Sequence, residues 1–440
     1  MRVLYIHQYF CTRNGRSGTR SYEFGRHLVA QGHQVTMLTS DSDLSDVRVP
    51  EGRGSARLQI DGIDVVAVRV PYSQHLGVAG RIQSFLKFMV ASSVVACRLP
   101  QHDVVIATST PLTVAVPGLL VSALRRIPLV FEVRDLWPEA PIQMQAIRNP
   151  WVIRTLRAFE RFVYRRSAHV IALSPGMRDG VVQAGTDAAK VTIIPNCSDL
   201  DLFMPGPADP ALAARYGVRN CFVVGYAGSM GEANDVEVLV RAADLLRDER
   251  DIRFLLIGQG KQGGELQTRV QAMGLDNIVF AGSMPRREVA DVLRIAGVCL
   301  VLFKNLPVLA TNSPNKLFDA LATGRPVIVN SNGWTRALVE QGRAGRYAEP
   351  GSPESLAEQI RWLRDHPAEA AAMGKAARQL AESDFDRRQC AMEFERVLAH
   401  AAARRTGPMA PLTAQATAYA PERATAAPLD AEPEAMPLSH

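Results

Sequence analysis

The chain has 440 residues, 47% hydrophobic and 21% charged, which excludes a disordered or fibrous protein and is too long for one ordinary hydrophobic core. The net charge of +6 is uneven: residues 1–204 hold 23 Lys and Arg against 16 Asp and Glu, so the N-terminal half is expected to meet an anionic partner. Its basic residues are dispersed and carry no nucleic-acid motif, which points away from nucleic acid and toward a phosphate-bearing lipid or a membrane surface.

No stretch reaches the ~20 apolar residues of a spanning helix, and Met1-Arg2 leads straight into an apolar strand without a signal pattern. The expected location is therefore cytoplasmic. The six cysteines form no C-x-x-C pair and the nine histidines no H-E-x-x-H, so reduced thiols and no metal site are expected.

The chain opens with a strand at Val3–Ile6, a polar loop, a helix over Thr19–Gln31 stopped by Gly32, and a strand at Gln34–Thr39, which make a β-α-β unit. Strands at Val65–Val70, Val104–Ala107, Leu129–Phe131, Val170–Leu173 and Val191–Ile194 follow, separated by helical patterns such as Trp151–Arg166. The segment Arg81–Arg98 reads as an apolar helix with basic ends, suited either to a membrane interface or to burial against the sheet.

Four prolines between Pro195 and Pro210 then break the rhythm and mark an interdomain linker. It resumes with strands at Phe222–Tyr226, Arg253–Ile257, Asn277–Phe280, Val298–Leu302 and Pro326–Val329, with helices between them. The expected organisation is α/β: residues 1–204 and 212–383 form two Rossmann-like, doubly wound domains facing across a cleft. Residues 384–400 form a helix packing back on the first domain, and 401–440, dominated by Ala, Pro and Thr, form a disordered tail.

Parallel sheets bind ligands at the carboxyl ends of their strands, so the loops there are the candidate sites. In Ser313–Pro326, Ser313 suits the N-cap, Pro314 the first helical position, and Gly324 with Pro326 the stop. Asn315, Lys316 and Asp319 then share a helix face: Lys316 and the helix amides suit a diphosphate, and Asp319 suits the ribose hydroxyls. The same spacing also fits a solvated Lys316–Asp319 pair.

After Phe222–Tyr226, Gly228, Ser229 and Gly231 allow backbone amides to approach a phosphate. Gly258-Gln259-Gly260-Lys261-Gln262-Gly263 is a literal dinucleotide-binding spacing. It sits on a middle strand of the second half, and the acidic residue wanted ~20 positions on falls within the next strand. A turn beside the nucleotide, with Lys261 near phosphate, fits better.

In the first half, the loop containing Gly15, Arg16, Gly18 and Arg20 suits anion or acceptor contact, unless its arginines are merely solvated. Arg134 and Asp135 sit at the end of a buried strand, facing the cleft or pairing with each other.

Taken in order, FEVRDLWPE (Phe131–Glu139), Ser174–Met177, Ile194-Pro195-Asn196 with Asp199 and Phe203, Gly228–Ala233, Val279–Gly282 and Asn315–Pro326 resemble the retaining family 4 glycosyltransferases of the GT-B fold. The likeness covers roughly residues 1–400, and the branch it most resembles is the WbuB-like N-acetyl-L-fucosaminyltransferases of O-antigen and capsule assembly. It implies a UDP-sugar donor, a polyprenyl-diphosphate-linked glycan acceptor at the membrane face, retention of configuration, and no metal or cofactor.

The resemblance also exposes departures. Of two glutamates eight positions apart in the family, the second matches Asp319 and the first falls on Thr311. A diphosphate-holding Arg and Lys fall on Ser229 and Asn234, and an active-site His on Arg134. Lys316, Lys261 and Arg134 are expected to supply the missing charge, with Arg134, Lys316 and Asp319 the catalytic set. Two rivals remain: a nucleotide-sugar epimerase or hydrolase, betrayed by turnover without acceptor, and an inactive nucleotide- or glycan-binding protein, betrayed by binding without turnover.

Overall fold

The computed structural model describes residues 1–404 apart from 16–17, 45–46, 53 and 72–75. The expected tail beyond residue 404 lies outside the described residues.

The first unit comprises β1 (Arg2–Ile6), α1 (Arg20–Ala30), β2 (Gln34–Ser40), β3 (Ser55–Ile60), β4 (Ile63–Val68), α2 (Val78–Arg98), β5 (Val104–Thr108), α3 (Ala115–Arg125), β6 (Leu129–Val133), α4 (Glu139–Gln143), α5 (Pro150–Arg166), β7 (His169–Ala172), α6 (Pro175–Gln183) and β8 (Val191–Ile193). The strands order as β3-β4-β2-β1-β5-β6-β7-β8, parallel except for the β3–β4 pair.

The second unit comprises α7 (Pro210–Arg215), β9 (Phe222–Ala227), α8 (Val236–Leu245), β10 (Ile252–Ile257), α9 (Gly263–Ala272), β11 (Ile278–Gly282), α10 (Arg286–Leu293), β12 (Val298–Val301), α11 (Asn315–Ala322), β13 (Val327–Val329), α12 (Trp334–Gln341), β14 (Gly345–Tyr347), α13 (Pro353–Asp365) and α14 (Pro367–Asp384). Its order, β11-β10-β9-β12-β13-β14, is wholly parallel. Central strands such as Val3–Ile6 and Val104–Ala107 are apolar without alternation because helices cover both faces. Both sheets reverse direction beside their first strand, and that crevice is where such folds take ligands.

A last helix, α15 (Arg387–Ala402), returns to the first unit. Phe394 packs on Phe24 and Tyr5, with ring centroids 4.8 and 5.8 Å apart, and Glu395 accepts from His27 and His33 at 2.9 Å. The linker lies beside it: Ser198 exchanges backbone hydrogen bonds with Phe385 and Arg387.

Candidate active site

A cavity of about 520 Å³ opens at the carboxyl ends of the second sheet and is closed on the far side by Gly18 and Asp43 of the first unit. Three loops build its floor. The Gly228 N–H donates to Ile257, the Met230 N–H to Gln259, and the Gly258 N–H to Gly282, which laces together the turns after β9, β10 and β11.

This lacing accounts for the dinucleotide-like glycines. Gly258 has φ +130°, and a Cβ there would stand 2.0 Å from the Gly228 carbonyl oxygen; one on Gly260 would stand 2.6 Å from the Met230 backbone. The glycines let two loops touch. Gly258 and Gln259 line the cavity, whereas Lys261 is exposed and outside its lining.

Lys316 and Arg286 are the basic residues that line the cavity, and Lys316 is the one without a carboxylate partner among the described residues. Its Nζ lies 4.5 and 4.9 Å from the ring centroids of Phe303 and Tyr226, and donates to Asn234 Oδ1 at 2.7 Å and to the Leu302 carbonyl at 3.2 Å. Burial pushes its ammonium down to about 7. A Cβ at Gly228 would stand 3.2 Å from the Tyr226 hydroxyl and 3.4 Å from the Lys316 stem, so the glycine lets the turn lie close against the tyrosine that flanks the lysine.

Asp319 is 6% exposed. Its Oδ1 accepts from Arg286 at 2.9 Å and from Ser198 Oγ at 3.2 Å, and Arg286 in turn lies over the Phe203 ring. Lys316 and Asp319 thus have separate partners, and a solvated pair between them is not what the structure contains.

Ser313 does not cap α11. The cap position is Pro314, and the Ser313 hydroxyl instead accepts the Asn196 N–H at 3.0 Å, while Asn196 Nδ2 donates to the Ser313 carbonyl. The linker thereby takes the group expected to serve the helix.

Across the cleft, Arg134 and Asp135 also have separate partners. Arg134 donates its backbone N–H to Ser109 Oγ and Nη1 to His7 Nε2, while Asp135 accepts from Thr110 Oγ1 at 2.7 Å, with burial pushing its carboxyl up. A Cβ on Gly18 would lie 3.6 Å from Arg134 Nη2 and 3.2 Å from Asn315 Nδ2, so these side chains from opposite units meet over a glycine.

Arg20 is spent elsewhere. Fully buried, it donates to Glu132 Oε1 at 2.9 Å and to the carbonyls of Pro195 and Ile194, and so ties α1, β6 and the linker together rather than awaiting an anion. The Gly15 N–H closes a turn on Thr12 and Gly231 lies beside Ser229, both outside the cavity lining; Arg16 lies outside the described residues.

The cavity therefore unites Gly18, Gly228, Ser229, Asn315, Lys316 and Asp319, and omits Gly15, Arg20, Arg134, Asp135, Gly231 and Lys261 from its wall. Arg286, Phe303 and Tyr226 were not singled out from the sequence. Tyr226 and Phe303 are marked only by standing at or just past strand ends, and Arg286 only by opening α10 after β11. Thr311, the position that the resemblance assigns to the family's first glutamate, packs its methyl on Gly176, where a Cβ would stand 2.9 Å away, and its carbonyl accepts from the Ser174 hydroxyl.

Comparison with known proteins fits this geometry. The profile of a glycosyl transferase 4-like domain matches residues 17–197, and that of glycosyl transferases group 1 matches residues 221–366. The chain belongs to the family 4-like glycosyltransferases of the GT-B fold.

It is 25% identical over 391 residues to Escherichia coli WcaI, named as a colanic acid biosynthesis glycosyl transferase, covering 86% of this chain and 94% of that one. Sucrose-phosphate synthase from Thermosynechococcus elongatus superposes at TM-score 0.73 with 20% identity, covering 92% of this chain and all of that one. Anabaena HepE in complex with UDP-glucose superposes at 0.67 with 20% identity, covering 91% and 99%. At these identities the superpositions establish the fold.

Proposed function

We propose that this glycosyltransferase moves a sugar, N-acetyl-L-fucosamine or a related N-acetylated hexose, from a UDP-linked donor to a polyprenyl-diphosphate-linked surface glycan, as the WbuB-like branch does. The observation that carries the donor half is Lys316, a desolvated cation without a carboxylate partner among the described residues, one helical turn from the buried Asp319. A lysine kept out of water, whose charged form a diphosphate favours, is a preorganised site for that group, and the adjacent carboxylate suits a ribose. HepE, with the same fold, has been captured with UDP and with UDP-glucose, which supports the choice of nucleotide.

In the reaction the bond from the anomeric carbon to the diphosphate oxygen breaks and negative charge collects on the leaving group. Lys316 and the first amides of α11 are arranged to meet that charge without a metal, with Arg134 approaching from the other unit. Retention follows from delivery of the acceptor on the same face, and the leaving phosphate takes the acceptor proton, so no protein nucleophile or base is assigned.

The acceptor half rests on the outer face of the first unit. Ile82, Leu86, Val90 and Val94 form an exposed stripe along α2, Leu120 and Leu124 extend it on α3, and Trp151 and Phe162 continue it on α5. α2 and α3 contain no acidic residue, and α5 adds exposed Arg154, Arg161, Arg165 and Arg166. An apolar stripe with a basic flank is complementary to an anionic membrane surface, where a polyprenyl-linked acceptor resides. No helix among the described residues is long and apolar enough to cross a membrane, so contact is peripheral in this reading.

The test is UDP release from a panel of UDP-sugars, including UDP-N-acetyl-L-fucosamine and UDP-N-acetylglucosamine, with and without a polyprenyl-diphosphate-linked GlcNAc acceptor. Acceptor-dependent release from one donor is expected. Equal release without acceptor, or none from any donor, overturns the reading.

A further inference from the structure

A guanidinium on a long side chain points one way only when its N–H groups are tied down, and a shift of about 1 Å at a reacting centre costs on the order of 10²-fold in rate. Arg134 leaves the end of β6 with its main chain anchored by Ser109. Its head is held by His7, at the end of β1, with Nη1 to Nε2 at 3.2 Å.

A guanidinium only donates, so His7 Nε2 must be the unprotonated nitrogen. The proton of the neutral ring then sits on Nδ1, which lies 2.8 Å from Ser21 Oγ in the first turn of α1. His7 is 3% exposed, and burial first, then the Arg134 charge, hold its imidazole well below the usual range, so the ring stays neutral. The Tyr9 ring stands edge-on to it, with centroids 6.4 Å apart.

We propose that His7 is a positioning residue for glycosyl transfer, its Nδ1–H fixed by Ser21 so that the Nε2 lone pair orients Arg134 over Gly18 toward the donor cavity. The proposal deepens the transferase reading and rests on it. His7 touches no substrate; it acts through Arg134, which a neutral ring can orient and a charged one would repel.

Two variants separate this role from a packing role. The amide of glutamine reaches the level of Nε2 and that of asparagine the level of Nδ1, so His7→Gln keeps an acceptor for Arg134 and His7→Asn keeps only the Ser21 contact. With the donor and acceptor that support turnover, His7→Asn is expected to lower kcat about 10²-fold. His7→Gln is expected to rescue most of it. In an Arg134→Ala background His7→Asn should cause no further loss.

A readout independent of turnover is the ¹⁵N spectrum of histidine-labelled protein, in which the signal that His7→Gln removes should show the Nδ1–H tautomer. Equal losses in both variants, a further loss without Arg134, or an Nε2–H tautomer would overturn the proposal. Failure of the transferase reading is seen separately, as absence of acceptor-dependent release in the unaltered protein.

Discussion

If Lys316 meets the donor's diphosphate as proposed, binding is sensitive to protons in a calculable way. Its ammonium is held near 7 by burial between Tyr226 and Phe303, against 10.5 for an ordinary lysine, so at pH 8 about nine free molecules in ten carry a neutral amine. A diphosphate placed against Nζ favours the charged form, so binding at pH 8 should take up close to one proton, and at pH 6 almost none. Affinity should fall by up to about tenfold per pH unit above 7 until the bound-state value is reached. The assay is titration calorimetry of a UDP-sugar, whose diphosphate has no proton to exchange near neutrality, in HEPES and in Tris. The buffer dependence of the enthalpy counts protons, and Lys316→Met should abolish it. The sign for stability follows: the folded value lies below the unfolded one, so the unfolded chain holds the extra proton between about 7 and 10.5, and the ligand-free protein gains stability as pH rises through that window. A binding enthalpy at pH 8 that is the same in both buffers would refute the assignment of Lys316 to the diphosphate.

Asp319→Asn should weaken UDP binding by about 1.5–3 kcal/mol, the worth of hydrogen bonds to a charged group, and unchanged affinity by calorimetry would leave Asp319 only its tie to Arg286 and Ser198. Gly258→Ala puts a Cβ 2.0 Å from the Gly228 carbonyl oxygen at φ +130°, so it should cost well over about 1 kcal/mol of stability and abolish donor binding; a normal melting temperature would contradict the lacing of the two loops. Leu86→Glu with Val90→Glu, on the exposed stripe of α2, should reduce sedimentation with phosphatidylglycerol vesicles without altering UDP affinity, and unchanged sedimentation would remove α2 from the membrane face.

The strands were legible because most are unbroken apolar runs between breakers, which is what a sheet covered on both faces requires. β3 is no such run: Ser-Ala-Arg-Leu-Gln-Ile alternates polar and apolar residues, the period-2 mark of an antiparallel edge, which a search for apolar runs passes over, and β14, Gly-Arg-Tyr, is too short to show a period. The site was legible to the level of the loop, since strand ends locate it, but not to the level of the partner. Arg20 reads as a helix-start arginine suited to an anion, and only the fold brings it to Glu132, 112 positions away. The same long-range pairing puts Arg286 on Asp319 and His7 on Arg134.

The resemblance puts a diphosphate lysine at Asn234, and in the structure the Asn234 amide oxygen instead accepts from Lys316. In the proposed site the positive charge therefore comes from α11 rather than from the turn after β9. That placement has a mechanical consequence, because Lys316 stands in the first turn of α11, the turn that the linker grips. Asn196 bonds to Ser313 twice, Ser198 bonds to Asp319, and Phe203 lies under Arg286. On its other side the same linker is tied through Asp199 to Arg387 of α15 and to Arg13 of the first unit. Any change in the angle between the two units must therefore strain or relax the start of α11, which carries both Lys316 and Asp319. If Lys316 meets the diphosphate as proposed, donor binding is tied to the linker, whereas a lysine at position 234, in the turn after β9, would have stood apart from it.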